Sequence, residues 1–232
     1  DPLDNGEPYG DRWSDGCDQC HSVRPSFKWV PGQRVGDADI VELGIACESC
    51  HGPGKAHIAK HQGPLSRYAG HLDGADADDI VNPSKLDNRR SSYVCAQCHA
   101  ELVMADESDS FQPGDSMDAF GHVVQYLPES PPRWLAEHLV DEPSLLNDAF
   151  WRDGTMRVAG RDFNALAITG CFTRGEMSCL SCHSMHASDP NDQLKPKAKG
   201  DAVCVECHPK EGNEIQAHTH HPPESSGSRC YN

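Results

Sequence analysis

The sequence predicts a mainly α chain with extensive irregular loop and little β, built around bound prosthetic groups rather than a large side-chain core. Three observations predict it. The string Cys-x-x-Cys-His occurs five times, at Cys17-Cys20-His21, Cys47-Cys50-His51, Cys95-Cys98-His99, Cys179-Cys182-His183 and Cys204-Cys207-His208. Hydrophobic residues make up 37%, aromatics 6% and mean hydropathy is −0.64, lean for 232 residues. Gly (20) and Pro (17) are frequent between the motifs, where they favour irregular connections.

Cys-x-x-Cys-His is the attachment site of haem c. The two thiols add across the two vinyl groups of one porphyrin, and the adjacent His reaches the iron from one face. A zinc ribbon or a redox dithiol requires no His directly after the second Cys. Five haems c are therefore expected, with His21, His51, His99, His183 and His208 as proximal ligands. Each porphyrin is a large apolar body against which a lean chain packs, so the fold should depend on it.

Each motif should sit on a short helix, since one helical turn directs both Cys and the following His to one ring. Ser84 as N-cap, with Asp87 three residues on, predicts a helix running into Cys95–His99. Gly52-Pro53-Gly54 breaks the second motif helix, and Lys55–Gln62 reads as a new one with His57 and His61 on one face. Segment 100–170 has no attachment site and is the part able to hold structure of its own. Within it Pro132–Val140 and Ser144–Trp151 read as amphipathic helices, Asp153-Gly154 as a hairpin turn, and Arg161–Thr169 as a helix leading to Cys171. The whole, 1–232, reads as a single domain with this insert.

Two cysteines fall outside the motifs, Cys171 and Cys230. Cys204 and Cys230 are 26 apart, close to the 25 between Cys179 and Cys204. Cys230 is read as the start of a sixth attachment site, at whose edge the sequence stops. The alternatives are a lone thiol or a Cys171–Cys230 disulfide.

Nine histidines remain for the distal positions. His57 lies just past the Gly-Pro-Gly turn, His122 follows Phe120-Gly121, and His186 sits three after His183, too close to reach its own iron. The cluster His218-Thr219-His220-His221 should supply two ligands, taken as His218 and His221, although the choice among these and His61 stays open. Most of the five methionines sit among apolar residues and read as packing. All irons are thus expected to be bis-His, with low potentials.

Formal charge is −16, and each oxidised bis-His haem adds about −1. Such acidity argues against nucleic acid and suits redox proteins with basic docking patches. No run of 18 apolar residues exists, so no membrane span is expected. Asp1 is read as a processed or trimmed start. Because haem is attached on the export side, the location is expected to be periplasmic or extracellular.

Three stretches carry a family resemblance. Cys47–His57 (CESCHGPGKAH), Phe111–Asp115 (FQPGD) and Gly175–His186 (GEMSCLSCHSMH) resemble multihaem c-type cytochromes of the cytochrome c-554 and hydroxylamine oxidoreductase superfamily. The branch indicated is one whose haem domain is often followed by TPR-type repeats and whose counterpart of His218–Cys230 continues into a complete motif. The resemblance implies a multihaem cytochrome c fold with stacked haems, bis-His iron and electron transfer. Electron carriage needs no catalytic acid, base or nucleophile. Two alternatives stand beside it: a subunit of an extracellular cytochrome filament through self-association, and a multihaem oxidoreductase acting on a small nitrogen or sulfur compound. The second would need an open iron, and no motif has the Lys-for-His replacement that flags one.

Overall fold

The computed structural model describes residues 20–23, 26–28, 37–39, 42–72, 79–105, 111–127, 129–186, 193–198 and 200–230. Cys17 lies outside them, as does the side chain of His71. The described chain is about half helical, with strand confined to three short antiparallel ladders. It forms two compact units, Asp1–Glu176 and Met177–Asn232, and the boundary falls just before the fourth motif.

In the first unit, β1 (Ser22–Val23) pairs with β4 (Glu42–Leu43), and Gly44 N donates to His21 O at 2.7 Å, so the exit of motif one runs beside the approach to motif two. β2 (Ser26–Lys28) and β3 (Asp37–Asp39) form a second ladder. Motif two is the helix Cys47–His51. It stops at Gly52, whose φ of 71° glycine adopts without strain, and Gly54 N is held by Glu48 Oε1 at 2.7 Å. The helix Lys55–Lys60 follows, as expected from the sequence.

Motif three ends the helix Asn88–His99. Its cap differs from expectation. Asp87 Oδ1 accepts from Arg89 N and Arg90 N, both at 3.0 Å, while Ser84 lies in a preceding 3-10 turn capped by Asn82. Asp87 wins because its carboxylate satisfies two first-turn amides next to the dipole's positive end.

Segment 100–170 holds structure of its own. β5 (Leu102–Met104) pairs with β6 (Gly121–Val123), and a side chain at Gly121 would place its Cβ 3.0 Å from Val103 O. Helices Arg133–Asp141 and Leu145–Ala149 bury Leu135, Leu146 and Ala149 with Val124 and Phe150. The turn at Asp153-Gly154 forms, with Phe150 bridging Met156. Helices Asp162–Ala167 and Gly170–Thr173 then add Phe163 and Phe172 to a cluster containing Val94, Ala96 and Phe120. This cluster packs directly on the motif-three helix.

The second unit consists of short helices, Cys179–Cys182, Ala202–Cys207, Pro209–Asn213 and Ile215–Thr219, joined by loops. Among its described residues no apolar side chain is buried, and Ser228 is the buried polar one.

Candidate haem-attachment sites

Four complete motifs and the end of the first are described; the four complete ones place Cys-x-x-Cys on helical turns, and Cys20 and His21 of the first are helical. All described cysteines are free thiols, so both sulfurs of each fully described motif are available to one porphyrin. Cys171 and Cys230 are free as well.

His51 is held by the ring nitrogen that iron would not use. His51 Nδ1 lies 2.7 Å from Val81 O, and Val81 N returns a bond to His51 O at 3.0 Å. His99 Nδ1 faces Asp162 Oδ2 at 3.9 Å and His208 Nδ1 faces Glu211 Oε2 at 4.0 Å. The hydrogen bond at His51 Nδ1 fixes its tautomer and leaves Nε2 for metal; His99 and His208 have only a nearby carboxylate beyond hydrogen-bond range. His183 is placed through its backbone instead, donating to Cys179 O and bridging Leu194.

Motifs one to three converge. Cys20 Sγ lies 3.9 Å from Cys98 O, Gln97 Nε2 donates to Ser49 O at 2.9 Å, and Cys50 packs against the cluster on the motif-three helix. The thiols sense one another. Contact with the Cys98 thiol, then Arg161 and His21, draws Cys20 down to about 6 against its burial. The same contact, with burial, pushes Cys98 upward, and burial with the neighbouring Cys47 pushes Cys50 upward. Attachment would convert each thiol to a thioether, which does not ionise.

In the second unit Lys195 braces motif four: its N donates to Cys182 O at 2.9 Å and its Nζ to Leu180 O. Cys182 is raised by burial and by Cys179 and Cys207, with Lys195 opposing. Asp201, just before motif five, accepts from Cys230 N at 3.0 Å and pairs with Arg229 at 3.4 Å. Burial and the neighbouring Asp201 and Cys204 all raise the Cys230 thiol. Cys230 is thus held at the start of the fifth motif.

Of the distal candidates, His57 lies with His61 and Asp79, each offering a ligand atom within 4.8 Å of the others. His122 stacks on Trp134, ring centroids 4.7 Å apart and planes at 22°, and lines a cavity of about 240 Å³ with Tyr93, Phe163 and Phe172. His186, His218 and His221 are exposed in the second unit, with the His221 ring lying over Gly227. Sequence reasoning missed Asp79, Arg161, Asn164, Lys195 and Asp201. None belongs to a motif, and no local spacing marks them.

The residues fit haem c on three counts: paired free thiols on helical turns, His51 anchored at Nδ1, and a two-motif unit whose described residues bury no apolar side chain. Comparison with known proteins points the same way. Residues 171–213 match the family described as "Doubled CXXCH motif". Over 90% of its length the chain is 22% identical to Multiheme cytochrome MtrA of Shewanella baltica (strain OS185), of which it covers 57%. It is similar in structure to Outer Cell Wall Cytochrome OcwA, with TM-score 0.50 and 17% identity over 86% of this chain and 44% of that one. A match to the undecaheme cytochrome from the S-layer of Carboxydothermus ferrireducens has TM-score 0.35 and 20% identity, covering 84% and 29%. The chain therefore spans about half the length of the relatives it matches. The doubled motif and the MtrA likeness, with a fold similar to that of OcwA, support a multihaem c-type cytochrome.

Proposed function

We propose that this chain carries electrons between redox partners outside the cytoplasm, along closely packed bis-His haems c, one at each of its five motifs. The observation that carries this reading is the convergence of motifs one to three, where Cys20, Cys50 and Cys98 from three attachment sites gather at one helix. When bound, haem supplies reversible one-electron exchange at its iron. The chain holds the attachment points in place, aims Nε2 of His51, and buries the motif-three helix against Phe163 and Phe172. His57, His122, His186, His218 and His221 serve as distal ligands in this reading. The acidic surface steers partners with basic patches. No helix among the described residues is long and apolar enough to cross a membrane. The narrower kinship with the cytochrome c-554 and hydroxylamine oxidoreductase branch stays part of the proposal, resting on its three sequence stretches.

Two measurements test it. Intact mass under denaturing conditions should exceed the polypeptide by at least five haems, with a sixth counted by the same spectrum if Cys230 carries one. A redox titration should resolve several low-potential one-electron steps with every iron low-spin. Four or fewer haems in matured protein would sink the five-site reading. A resting high-spin iron would favour the oxidoreductase alternative.

A further inference from the structure

We propose that Asp79 is a positioning residue for the axial histidine His57, and that through it one haem of this chain is set to a lower potential than an otherwise equivalent bis-His site. The inference rests on the reading of His57 as a distal ligand. Its basis is a three-residue stretch that holds two histidines. Val81 O lies 2.7 Å from His51 Nδ1, and two residues earlier Asp79 Oδ1 lies 3.7 Å from His57 Nδ1. Both rings are approached at Nδ1, so both present Nε2 to a metal.

The two holds differ in charge. A main-chain carbonyl is neutral and only orients the His51 ring. The Asp79 carboxylate is anionic, with its side chain 17% exposed, and both its oxygens and His57 Nδ1 are closed to solvent. In such surroundings a carboxylate draws the imidazole proton towards itself and makes the ring a stronger donor, which favours ferric iron and lowers its potential. At 3.7 Å the two are within ion-pair range and outside hydrogen-bond distance, so the carboxylate acts on the ring through its charge. Lys60 Nζ stands 3.7 Å from the same oxygen, 55% exposed, and partly offsets its charge.

A separate divalent cation among His57, His61 and Asp79 is the competing occupant, since their ligand atoms lie within 4.8 Å. The Lys60 ammonium argues against it by placing a positive charge on the carboxylate oxygen such an ion would use. Iron bound from the far side of His57, at Nε2, meets no such conflict.

The test uses the full, haem-loaded chain. In Asp79→Asn one one-electron step should move to higher potential, while haem count and low-spin state stay unchanged and that haem's near-infrared charge-transfer band shifts. Asp79→Glu should keep the low value, and Lys60→Gln should move the same step lower. In His57→Ala one iron should lose its sixth ligand and turn high-spin. If Asp79→Asn leaves every step in place while His57→Ala gives the high-spin iron, the inference about Asp79 fails and the ligand reading stands. If His57→Ala leaves all irons low-spin, the ligand reading itself fails. Metal analysis showing one zinc per chain, lost in both Asp79→Asn and His61→Ala, would overturn the proposal in favour of a separate cation site.

Discussion

Arg161 donates from Nη1 to the main-chain carbonyl of Cys98 at 2.7 Å, across 63 residues of sequence. Its Nε meets Glu101 Oε2 at 3.3 Å. Cys98 lies in the last turn of the Asn88–His99 helix, where carbonyls lack intrahelical partners and the helix dipole is negative. A guanidinium satisfies both demands. A residue from the attachment-free segment thus pins an attachment cysteine, and it also lowers the neighbouring Cys20.

Arg161→Met should therefore destabilise the haem-loaded chain by about 1–2 kcal/mol, below the full range for a charge-assisted bond because the side chain is a third exposed. Denaturant midpoints of the two proteins measure it, with intact mass showing the haem count unchanged. An unaltered midpoint would mean that the guanidinium is dispensable.

Asn164 is the stronger lock. It is 1% exposed; its Oδ1 accepts from Glu101 N at 2.7 Å, and its Nδ2 donates to Glu101 O at 3.1 Å and Val124 O at 2.8 Å. The side chain stands in for a strand partner where motif three, β5 and β6 meet. Asn164→Leu keeps the volume but strands one amide and leaves two carbonyls without this donor, so about 2–4 kcal/mol should be lost. Thermal unfolding followed at the haem absorption checks it, and a loss below that of Arg161→Met would contradict the ranking.

These two residues show where sequence reading stops. Helices at the motifs, the break at Gly52, the Asp153-Gly154 turn and the Arg161–Thr169 region were legible, because each is set by neighbours within about four residues. His57 and His61 share a face at helical spacing and were legible as a pair. Asp79, 22 residues from His57, was not, and neither were Arg161 and Asn164, because their partners lie far along the chain. The ladders of two or three residues, such as Ser22–Val23 with Glu42–Leu43, are too short for alternation to register. Ser84 and Asp87 both carried a capping signal, and only the packed helix decides between them.

His122 offers a spectroscopic prediction. It sits on β6 opposite Val103 and stacks on Trp134. If it ligates iron, His122→Ala should turn one haem high-spin and open it to carbon monoxide. Trp134→Ala should leave the iron six-coordinate but loosen the ring. Low-spin spectra in His122→Ala would return the residue to aromatic packing.

The second unit should depend on its haems far more than the first. Its described helices run four to six residues, too short to persist alone in water. Among its described residues none buries an apolar side chain, whereas the first unit has two clusters built from Phe111, Phe120, Phe163, Phe172, Leu135, Phe150 and their neighbours. In the proposed reading the apolar body that orders this unit is porphyrin. Replacing Cys179, Cys182, Cys204 and Cys207 by Ala should remove two haems by mass. Proteolysis within 177–232 should accelerate by more than about tenfold, the ratio given by ~1.4 kcal/mol of lost local stability. Cleavage in the cores of the first unit should stay slow in the same digest. Resistance of 177–232 with both haems gone would show that its loops and caps hold it unaided, and the Asp201 contacts to Arg229 and Cys230 would be the first place to look for the reason.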